Sequence, residues 1–265
     1  MLIAQITDLH IRMPGQKAYG VVDTGSYLPA AIRTLNALDP APDLVIISGD
    51  LTDFGRADEY DYLRALLSAL RMPYYLMPGN HDARAQLRAS FPEHDYLHED
   101  TAFAHYTVEH LPLRLIMLDT VVPLHSHGAL CARRLDWLQA RLAEAPQRPT
   151  LIAMHHPPFK TSIAHMDDIG LLEGGAAFEA LVARHAHIER ILCGHLHRSI
   201  FRRFGGTVVS TCPSPAHQIA LDLRPRGMAA FNLEPPAFHL HHWHEGQLLT
   251  HHAYIGDYPG PYPFA

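Results

Sequence analysis

The chain has 265 residues, and its 21 lysines and arginines against 27 aspartates and glutamates give a formal net charge of −6. This length suits one domain with a sizeable core, and the negative charge argues against nucleic acid as the main partner, because phosphate backbones are met by clustered basic residues. Three scattered cysteines do not form a disulfide framework or a thiolate metal site, and no stretch reaches the about 18 apolar residues of a membrane span, so we expect a cytoplasmic protein without a membrane partner.

The first two predicted strands each end in residues that can bind metal. Residues 2–7 form a β-type run that leads into Asp8-Leu9-His10, and the two outer residues point to one side of an extended chain. Residues 43–48 contain a continuous rather than alternating apolar run, as in a parallel strand covered on both faces, and lead into Gly49-Asp50. Open α/β sheets bind ligands at these carboxyl ends. Asp53 either orders the loop that follows or is a solvated surface residue.

A third strand, residues 74–77, runs into the turn Pro78-Gly79-Asn80-His81-Asp82. Proline, glycine and asparagine are ordinary turn formers, so this segment has a purely structural interpretation. Its functional interpretation is that Asn80 supplies a neutral oxygen to a metal site that already carries negative charge. Asp82 either orients His81 or caps the helix that follows, and we favour the cap.

Helices and a loop connect these strands. Apolar residues recur at helical spacing over residues 26–38 and 57–70. In the loop after the first strand, Arg12, Lys17 and Tyr19 are candidates to line a pocket mouth. The alternative for the two basic residues is that they are merely solvated, and we favour it.

The middle of the chain is less regular. Residues 83–110 indicate a surface excursion that ends in an antiparallel strand at 102–108, followed by a buried strand at 113–118. His125 and His127 lie in a loop with no strand before them, so we do not expect them to bind metal. A helix is predicted around Leu135, Leu138 and Leu142.

Two further strands end in histidines. Residues 150–154 run into His155-His156-Pro157-Pro158, where the prolines force a turn, and residues 188–193 end in Gly194-His195-Leu196-His197. Between them, residues 160–175 form a loop long enough to be a lid or to set specificity. His195 and His197 repeat the spacing of Asp8 and His10.

The end of the chain is predicted to be rich in β-structure. Residues 207–211 and 238–252 are typical of hairpins, and we divide the chain into a catalytic domain, 1–220, and a β-rich tail, 221–265, that completes the sheet or contacts another subunit. The tail carries a histidine tract that alternates with apolar residues. We expect an exposed strand face or subunit contact there, comprising His239, His241, His242, His244, His251 and His252.

Together the motifs resemble the calcineurin-like metallophosphoesterase superfamily, whose five boxes are all present and in order. Within it, the chain is similar to the class III cyclic nucleotide phosphodiesterases and the bacterial glycerophosphodiesterases. The likeness extends through residues 12–20, Met166-Asp167, His217-Gln218 and residues 258–261, and so covers nearly the whole chain. The five boxes are Asp8-x-His10, Gly49-Asp50-x-x-Asp53, Gly79-Asn80-His81-Asp82, His155-His156-Pro157 and Gly194-His195-x-His197.

The resemblance implies two divalent transition-metal ions, Fe, Mn, Co or Zn, which suit mixed nitrogen and oxygen ligands. It makes Asp8, His10, Asp50 and His197 the ligands of one ion. It makes Asp50, Asn80, His155 and His195 the ligands of the other. His155 is chosen over His156 on the family pattern alone. The implied catalytic residues are His81 and Asp50, and the implied substrate contacts are Arg12, Tyr19, Asn80, His81 and His217.

The resemblance further implies a four-layer αββα sandwich with a small C-terminal β-rich extension, and a homo-oligomer. The expected activity is hydrolysis of small phosphodiesters, either glycerophosphodiesters or 3′,5′-cyclic nucleotides, by attack of a metal-bound hydroxide. One alternative is a nucleotide or lipid pyrophosphatase of the same superfamily. Another, from a different class, is a catalytically silent interaction module.

Overall fold

A computed structural model describes residues 1–264 and shows an α/β protein built on two large sheets. Its strands are β1 (Leu2–Ile6), β2 (Leu44–Ser48), β3 (Tyr74–Met77), β4 (Tyr106–Val108), β5 (Arg114–Leu118), β6 (Gly128–Ala129), β7 (Thr150–Met154), β8 (Leu171–Glu173), β9 (Ile188–Cys193), β10 (Ile200–Phe204), β11 (Thr207–Thr211), β12 (Gln218–Ile219), β13 (Phe231–Asn232), β14 (Ala237–His244) and β15 (Gln247–Tyr254). Its α-helices are α1 (Thr24–Ala37), α2 (Ala57–Leu67), α3 (Arg84–Ser90), α4 (Ala132–Glu144), α5 (Ala164–Asp167) and α6 (Gly175–Val182), and a 3₁₀ helix covers Asp95–His98.

The first sheet has the strand order β15-β14-β1-β2-β3. Its strands β1, β2 and β3 are parallel and in register, with Ile6 beside Ile47 and Ser48 beside Met77. Because parallel strands in register end at one edge of the sheet, the residues that follow β1, β2 and β3 lie next to each other.

The second sheet has the order β10-β11-β9-β7-β5-β4, and β5, β7, β9 and β11 are parallel. Met154 at the end of β7 lies beside Cys193 at the end of β9. The buried amide of Gln5 joins the two sheets, since its Nε2 donates to Ser48 Oγ over 2.9 Å and to the Cys193 carbonyl over 3.1 Å. The strand ends of both sheets therefore face one shared region.

The core lies between the sheets and under the helices that connect their strands. All residues of β2, β5 and β7 are buried, as expected for parallel strands covered on both faces. α1 and α2, which connect the parallel strands of the first sheet, contact each other, as do α4 and α6, which connect those of the second. The predicted α/β fold with two central sheets is confirmed.

Two predictions about secondary structure are wrong in detail. The irregular stretch after residue 83 contains α3 and a 3₁₀ helix, and the strand predicted at 102–108 begins only at Tyr106. The guanidinium of Arg88 explains the late start, because it donates to the carbonyls of Leu97, Asp100 and Phe103 and holds that segment in a loop.

The histidine tract corrects another expectation. β14 lies between β1 and β15, so one of its faces packs on the core, and His239 and His241 are fully buried rather than exposed. His239 Nε2 lies 2.8 Å from Ser199 Oγ, and His241 Nε2 lies 3.1 Å from Gln5 Oε1. The tail adds two strands to the first sheet, while the division at residue 220 stays a prediction.

Among the helices of residues 1–264, none combines the length and the apolar character needed to cross a membrane.

Candidate metal centre

Polar side chains from five loops converge where the strands of the two sheets end. Each loop directly follows a parallel strand, which explains why residues far apart in sequence meet there. All but Asn80 are at most 4% exposed. The converging side chains are Asp8 and His10 after β1, Asp50 after β2, Asn80 after β3, His155 after β7, and His195 and His197 after β9.

One group of ligand atoms forms around His10. Its Nε2 lies 3.3 Å from Nε2 of His197 and 3.6 Å from Oδ2 of Asp50. His197 Nε2 lies 3.3 Å from Asp8 Oδ1. Ligand atoms held about 2.1 Å from a single transition-metal ion are separated by about 3 to 3.5 Å. These four side chains therefore have the spacing of a metal site.

A second group forms around His155. Its Nε2 lies 3.2 Å from Asn80 Oδ1 and 3.3 Å from Asp50 Oδ2. Nε2 of His195 is buried and has no hydrogen-bond partner, which leaves this nitrogen able to bind a metal ion. Asp50 Oδ2 is near both groups, so one carboxylate stands between two possible ions.

Hydrogen bonds of the other ring nitrogens orient two of these imidazoles. Nδ1 of His155 lies 2.9 Å from the Ser48 carbonyl, and Nδ1 of His197 lies 3.0 Å from the His217 carbonyl. A carbonyl only accepts, so each Nδ1 carries a proton and each Nε2 faces the cluster, where it binds a metal ion when it is not protonated.

The backbone at this site is unusual. Five of the seven side chains belong to residues with left-handed φ angles, which non-glycine residues rarely adopt. Such a conformation costs about 1–3 kcal/mol per residue and persists where the surrounding structure enforces it, often at functional sites. The five are Asp8 (54°), His10 (45°), Asp50 (49°), His195 (68°) and His197 (48°).

Charge at the centre favours cations. Burial alone would raise the pKa of Asp50, but His155 and the neighbouring imidazoles hold it well below its ordinary value. Burial lowers the pKa of His155, yet the charge of Asp50 outweighs this and raises it to about 9. Burial and then His155 lower the pKa of His195 to about 3, which keeps its imidazole neutral. Asp50 is thus ionised, the His155 ring beside it carries a proton that a metal cation could replace, and the His195 imidazole is neutral.

Two glycines make room for this packing. A Cβ added to Gly79 would lie 2.2 Å from Asp50 Oδ1, and one added to Gly194 would lie 2.2 Å from Thr7 Oγ1. Neither glycine has a left-handed φ, so the requirement is for space and not for conformational freedom.

His81 lies at the rim of the centre. Its main-chain N–H donates to Asp50 Oδ1 over 2.9 Å, and its Nδ1 lies 2.8 Å from the Asp53 carbonyl. The side chain is 31% exposed and its ring is 4.6 Å from that of His10. Nδ1 is thus used within the protein, and Nε2 is left for a molecule bound at the rim.

Asp82 does not cap the following helix, contrary to our interpretation of the sequence. α3 begins after Ala83, and no side chain caps it. The Asp82 carboxylate instead accepts hydrogen bonds from the main-chain N–H of Leu51 (3.0 Å) and Gly79 (2.8 Å) and from the Tyr60 hydroxyl (2.8 Å). It ties the turn that carries Asn80 to the loop after β2.

His156 is beside the centre but is engaged elsewhere. One of its ring nitrogens is within 4.8 Å of ligand atoms of His155 and His195. However, Nδ1 lies 2.8 Å from Thr120 Oγ1 and Nε2 lies 3.1 Å from the Ser126 carbonyl. With both nitrogens partnered, His156 has no lone pair to offer, and the geometry favours His155.

Arg12, which is partly buried, and Asp53, which is buried, form an ion pair behind His10. Arg12 Nη1 donates to Asp53 Oδ2 over 3.0 Å, and its guanidinium lies 4.4 Å from the centre of the Phe54 ring. Neither Arg12 nor Asp53 is a merely solvated surface residue, so that interpretation of the sequence is wrong for both. Lys17 is exposed, as expected. Because the Arg12 guanidinium is paired with the Asp53 carboxylate, the structure does not support the predicted contact between Arg12 and the substrate.

His217 and Tyr19 border the centre on another side. His217 is 1% exposed, its ring is 4.6 Å from that of His197, and both of its ring nitrogens lack a partner. The Tyr19 ring is 5.5 Å from it. His125 and His127 belong to none of the groups of three or more potential ligands found within residues 1–264.

Comparisons with known proteins agree with this geometry. A family model described as calcineurin-like phosphoesterase matches residues 1–199. A protein of Arcobacter nitrofigilis, named probable glycerophosphodiester phosphodiesterase GpdQ, is 40% identical over 265 residues, with 100% of this chain and 97% of that protein covered. A probable cyclic nucleotide phosphodiesterase of Rhodopseudomonas palustris is 35% identical over 265 residues, covering 98% and 94% of the two chains. The crystal structure of a dimetal phosphatase from Danio rerio, 17% identical, superposes with a TM-score of 0.69 over 97% of each chain, and shows the same fold.

Proposed function

Because the chain belongs to the calcineurin-like phosphoesterase family, we propose that it is a dinuclear metal-dependent phosphodiesterase that hydrolyses small phosphodiesters. The observation that supports this most directly is the position of Asp50, whose Oδ2 is 3.6 Å from His10 Nε2 and 3.3 Å from His155 Nε2. A carboxylate shared between two ions offsets part of their repulsion. Diester hydrolysis, in particular, is supported by the names of two relatives that cover nearly the whole chain.

We assign the ligands as the two groups of side chains described above. Asp8, His10, Asp50 and His197 would hold one ion. Asp50, Asn80, His155 and His195 would hold the other. Imidazole, carboxylate and amide together suit Fe, Mn, Co or Zn. When bound, a pair of such ions activates a water molecule and stabilises the charge on the phosphoryl oxygens.

The protein itself contributes positioning and a proton. Asn80 adds an oxygen without adding charge, which limits the negative charge that an approaching phosphodiester meets. His81, held through its main chain by Asp50 and through Nδ1 by Asp53, presents Nε2 at the rim. We assign it hydrogen bonding to the phosphoryl group and protonation of the leaving alkoxide.

Turnover of bis(p-nitrophenyl) phosphate by protein loaded with Mn or Co tests the activity. A rate no higher than that of the metal-free protein would contradict the proposal. For His81, the test is the identity of the leaving group. His81→Ala should slow an alkyl diester by about 10² to 10⁴ but slow a p-nitrophenyl diester much less, because nitrophenolate leaves without a proton. His125→Ala, in an exposed loop, is the matched control.

The alternatives differ in measurable ways. A pyrophosphatase that acts on a membrane lipid would need detergent or lipid, so activity on water-soluble diesters without detergent argues against it. A catalytically silent interaction module would be isolated without metal, whereas about two transition-metal ions per chain argue for the enzyme.

We also propose a homo-oligomer. β15 lies at the edge of the first sheet and exposes Leu249 (45%) and Tyr254 (54%), and an eight-residue edge strand with exposed apolar side chains can pair with another chain. Light scattering after size exclusion gives the mass in solution, and a monomer at micromolar concentration would contradict this. The cytoplasmic location stays a prediction that cell fractionation tests.

A further inference from the structure

β10 is the outermost strand of the second sheet, and one of its two edges is open. Within residues 1–264 it pairs only with β11, and Phe204 lies opposite Thr207 at the turn that joins the two strands. This turn consists of Gly205 and Gly206, which both have the left-handed φ angles (55° and 93°) of a type I′ hairpin. A two-residue turn fixes the register of the hairpin, so the direction of each main-chain group of β10 is known.

The register shows which main-chain groups of β10 point away from the sheet. In a two-residue hairpin the residues that flank the turn are hydrogen-bonded to each other, and every second residue repeats this pattern. Phe204, Arg202 and Ile200 thus bond to β11, and the Ile200 N–H donates to a threonine hydroxyl of β11 over 3.1 Å. The N–H and carbonyl groups of Phe201 and Arg203 face outward, and no main-chain group of another segment within residues 1–264 bonds to them.

The open edge carries cations that have no partner. Arg202 and Arg203 are both exposed, and as neighbours on a strand they point to opposite faces. Neither forms an ion pair within residues 1–264, whereas Arg198, just before the strand, is paired with Glu234 over 2.7 Å. Lys160 is also exposed and lines the same cavity as Arg202. Both faces of the edge therefore attract negative charge.

Each face of β10 also offers an apolar contact. On one face, the side chain of Phe201 is 54% exposed. On the other, a cavity of about 210 Å³ lies beside Arg202, and Phe159 and Leu172 belong to its lining. Asp167 is the one acidic residue of this lining within residues 1–264, and its carboxylate already accepts hydrogen bonds from two main-chain N–H groups, at 2.6 and 3.0 Å. The cavity therefore suits an apolar side chain that is followed or preceded by an acidic one.

These features select the kind of chain that can pair with β10. Outward N–H and carbonyl groups at alternate residues are matched by another extended main chain, and not by a nucleic acid or a lipid surface. A second copy of β10 is disfavoured, because it would bring the arginines of two chains together on adjacent strands. A strand with acidic side chains instead meets opposite charge on both faces, and its apolar side chains can contact Phe201 and the cavity.

We propose that the open edge of β10 is a docking site for an extended acidic segment of a partner protein, which adds a seventh strand to the six-stranded sheet. This inference goes beyond phosphodiester hydrolysis and does not depend on it. Arg202 and Arg203 set the preference for acidic side chains. The main-chain groups of Phe201 and Arg203 fix the register of the added strand.

Exchange of individual backbone amides measures this docking directly. The probe is a peptide of about eight residues, within the usual length of a strand, made of two valine-valine-glutamate-glutamate repeats so that each face carries both kinds of side chain. In ¹⁵N-labelled protein saturated with the peptide, the amides of Phe201 and Arg203 should exchange about tenfold more slowly, because they become hydrogen-bonded. The amide of Arg202, which already bonds to β11, should keep its exchange rate.

Fluorescence anisotropy of the labelled peptide gives the affinity. The double variant Arg202→Glu, Arg203→Glu should bind about tenfold more weakly, because two attractions become repulsions. Arg33→Glu, at an exposed arginine of α1, is the matched control and should bind as the wild type does. Thermal denaturation shows whether the variants are folded. On the wild type itself, a peptide with lysine in place of glutamate should also bind about tenfold more weakly, and this comparison needs no variant.

Three results would overturn the docking site: no binding of the glutamate peptide, equal binding of the lysine peptide, or binding that leaves the Phe201 and Arg203 amides unprotected. Protection of these two amides in the free protein that grows with protein concentration would show that a second copy covers the edge, and it overturns the proposal as well. Turnover of bis(p-nitrophenyl) phosphate is measured separately, so failure of the docking site and failure of the phosphodiesterase function are distinguishable.

Discussion

Nε2 of His10 lies 3.3 Å from Nε2 of His197, although the two residues are 187 positions apart in the chain. Nδ1 of His197 holds its proton against the His217 carbonyl, so its Nε2 presents a lone pair to His10. Two imidazole nitrogens 3.3 Å apart, with Asp8 Oδ1 3.3 Å from that of His197 and Asp50 Oδ2 3.6 Å from that of His10, have the arrangement of ligands around a cation.

The first prediction concerns the shared carboxylate. Asp50→Asn should lower the metal content from about two ions per chain to about one or fewer and lower kcat/KM by about 10³ or more, because the amide no longer offsets the repulsion between the ions. Elemental analysis after dialysis measures the first effect. Asp257→Asn, an exposed residue of the tail, is the control. Two retained ions with full activity would refute the assignment of Asp50.

The second prediction concerns space beside Asp50. In Gly79→Ala the new Cβ would lie 2.2 Å from Asp50 Oδ1, so the carboxylate must move. We expect kcat/KM to fall by about 10², the effect of a displacement of about 1 Å at a reacting centre. Gly170→Ala is the control, because the nearest atom to its Cβ would be 3.6 Å away, an ordinary contact. Equal activity of the two variants would show that Asp50 is free to shift.

The third prediction concerns the turn that carries Asn80. Tyr60 is fully buried, and its hydroxyl donates to Asp82 Oδ1 over 2.8 Å. Tyr60→Phe should lower the free energy of unfolding by about 1.5–3 kcal/mol, the contribution of a hydrogen bond to a charged group. Urea denaturation measures this, and Tyr62→Phe, half-buried on the same helix, is the control. A loss no larger than that of the control would mean that the other donors to Asp82 suffice.

The fourth prediction is a dependence of stability on pH. Burial, and then the charge of His252, lowers the pKa of His239 from 6.5 to about 3. The unfolded chain takes up a proton at this imidazole below about pH 6.5 and the folded chain does not, so the free energy of unfolding falls as the pH drops from 6.5 towards 3. At pH 5 this amounts to about 2 kcal/mol.

His239→Gln should remove that part of the pH dependence, as measured by urea denaturation between pH 7 and 4.5. Metal release at low pH is common to the variant and the wild type, so the comparison cancels it. His244→Gln, on an exposed side chain of the same strand, should keep the wild-type slope. An unchanged slope in His239→Gln would place the pH sensitivity elsewhere.

Several features were predictable from the sequence because they depend on local pattern. A continuous apolar run predicted the buried parallel strand β2, strands were also predicted at β5 and β7, and helical spacing predicted α1 and α2. The polar motifs at strand ends followed from the rule that open α/β sheets place ligands there, and the motif order indicated the family.

The tertiary structure decided what depends on neighbours across the sheets. Asp82 and His239 have sequence surroundings typical of a helix cap and an exposed strand face, yet Asp82 binds the loop after β2 and His239 is buried beside Ser199. His156 is next to His155 in sequence, but only the positions of Thr120 and Ser126 show that both of its nitrogens are engaged. A side chain's partners are set by strand order and register, which bring together residues that no local pattern relates.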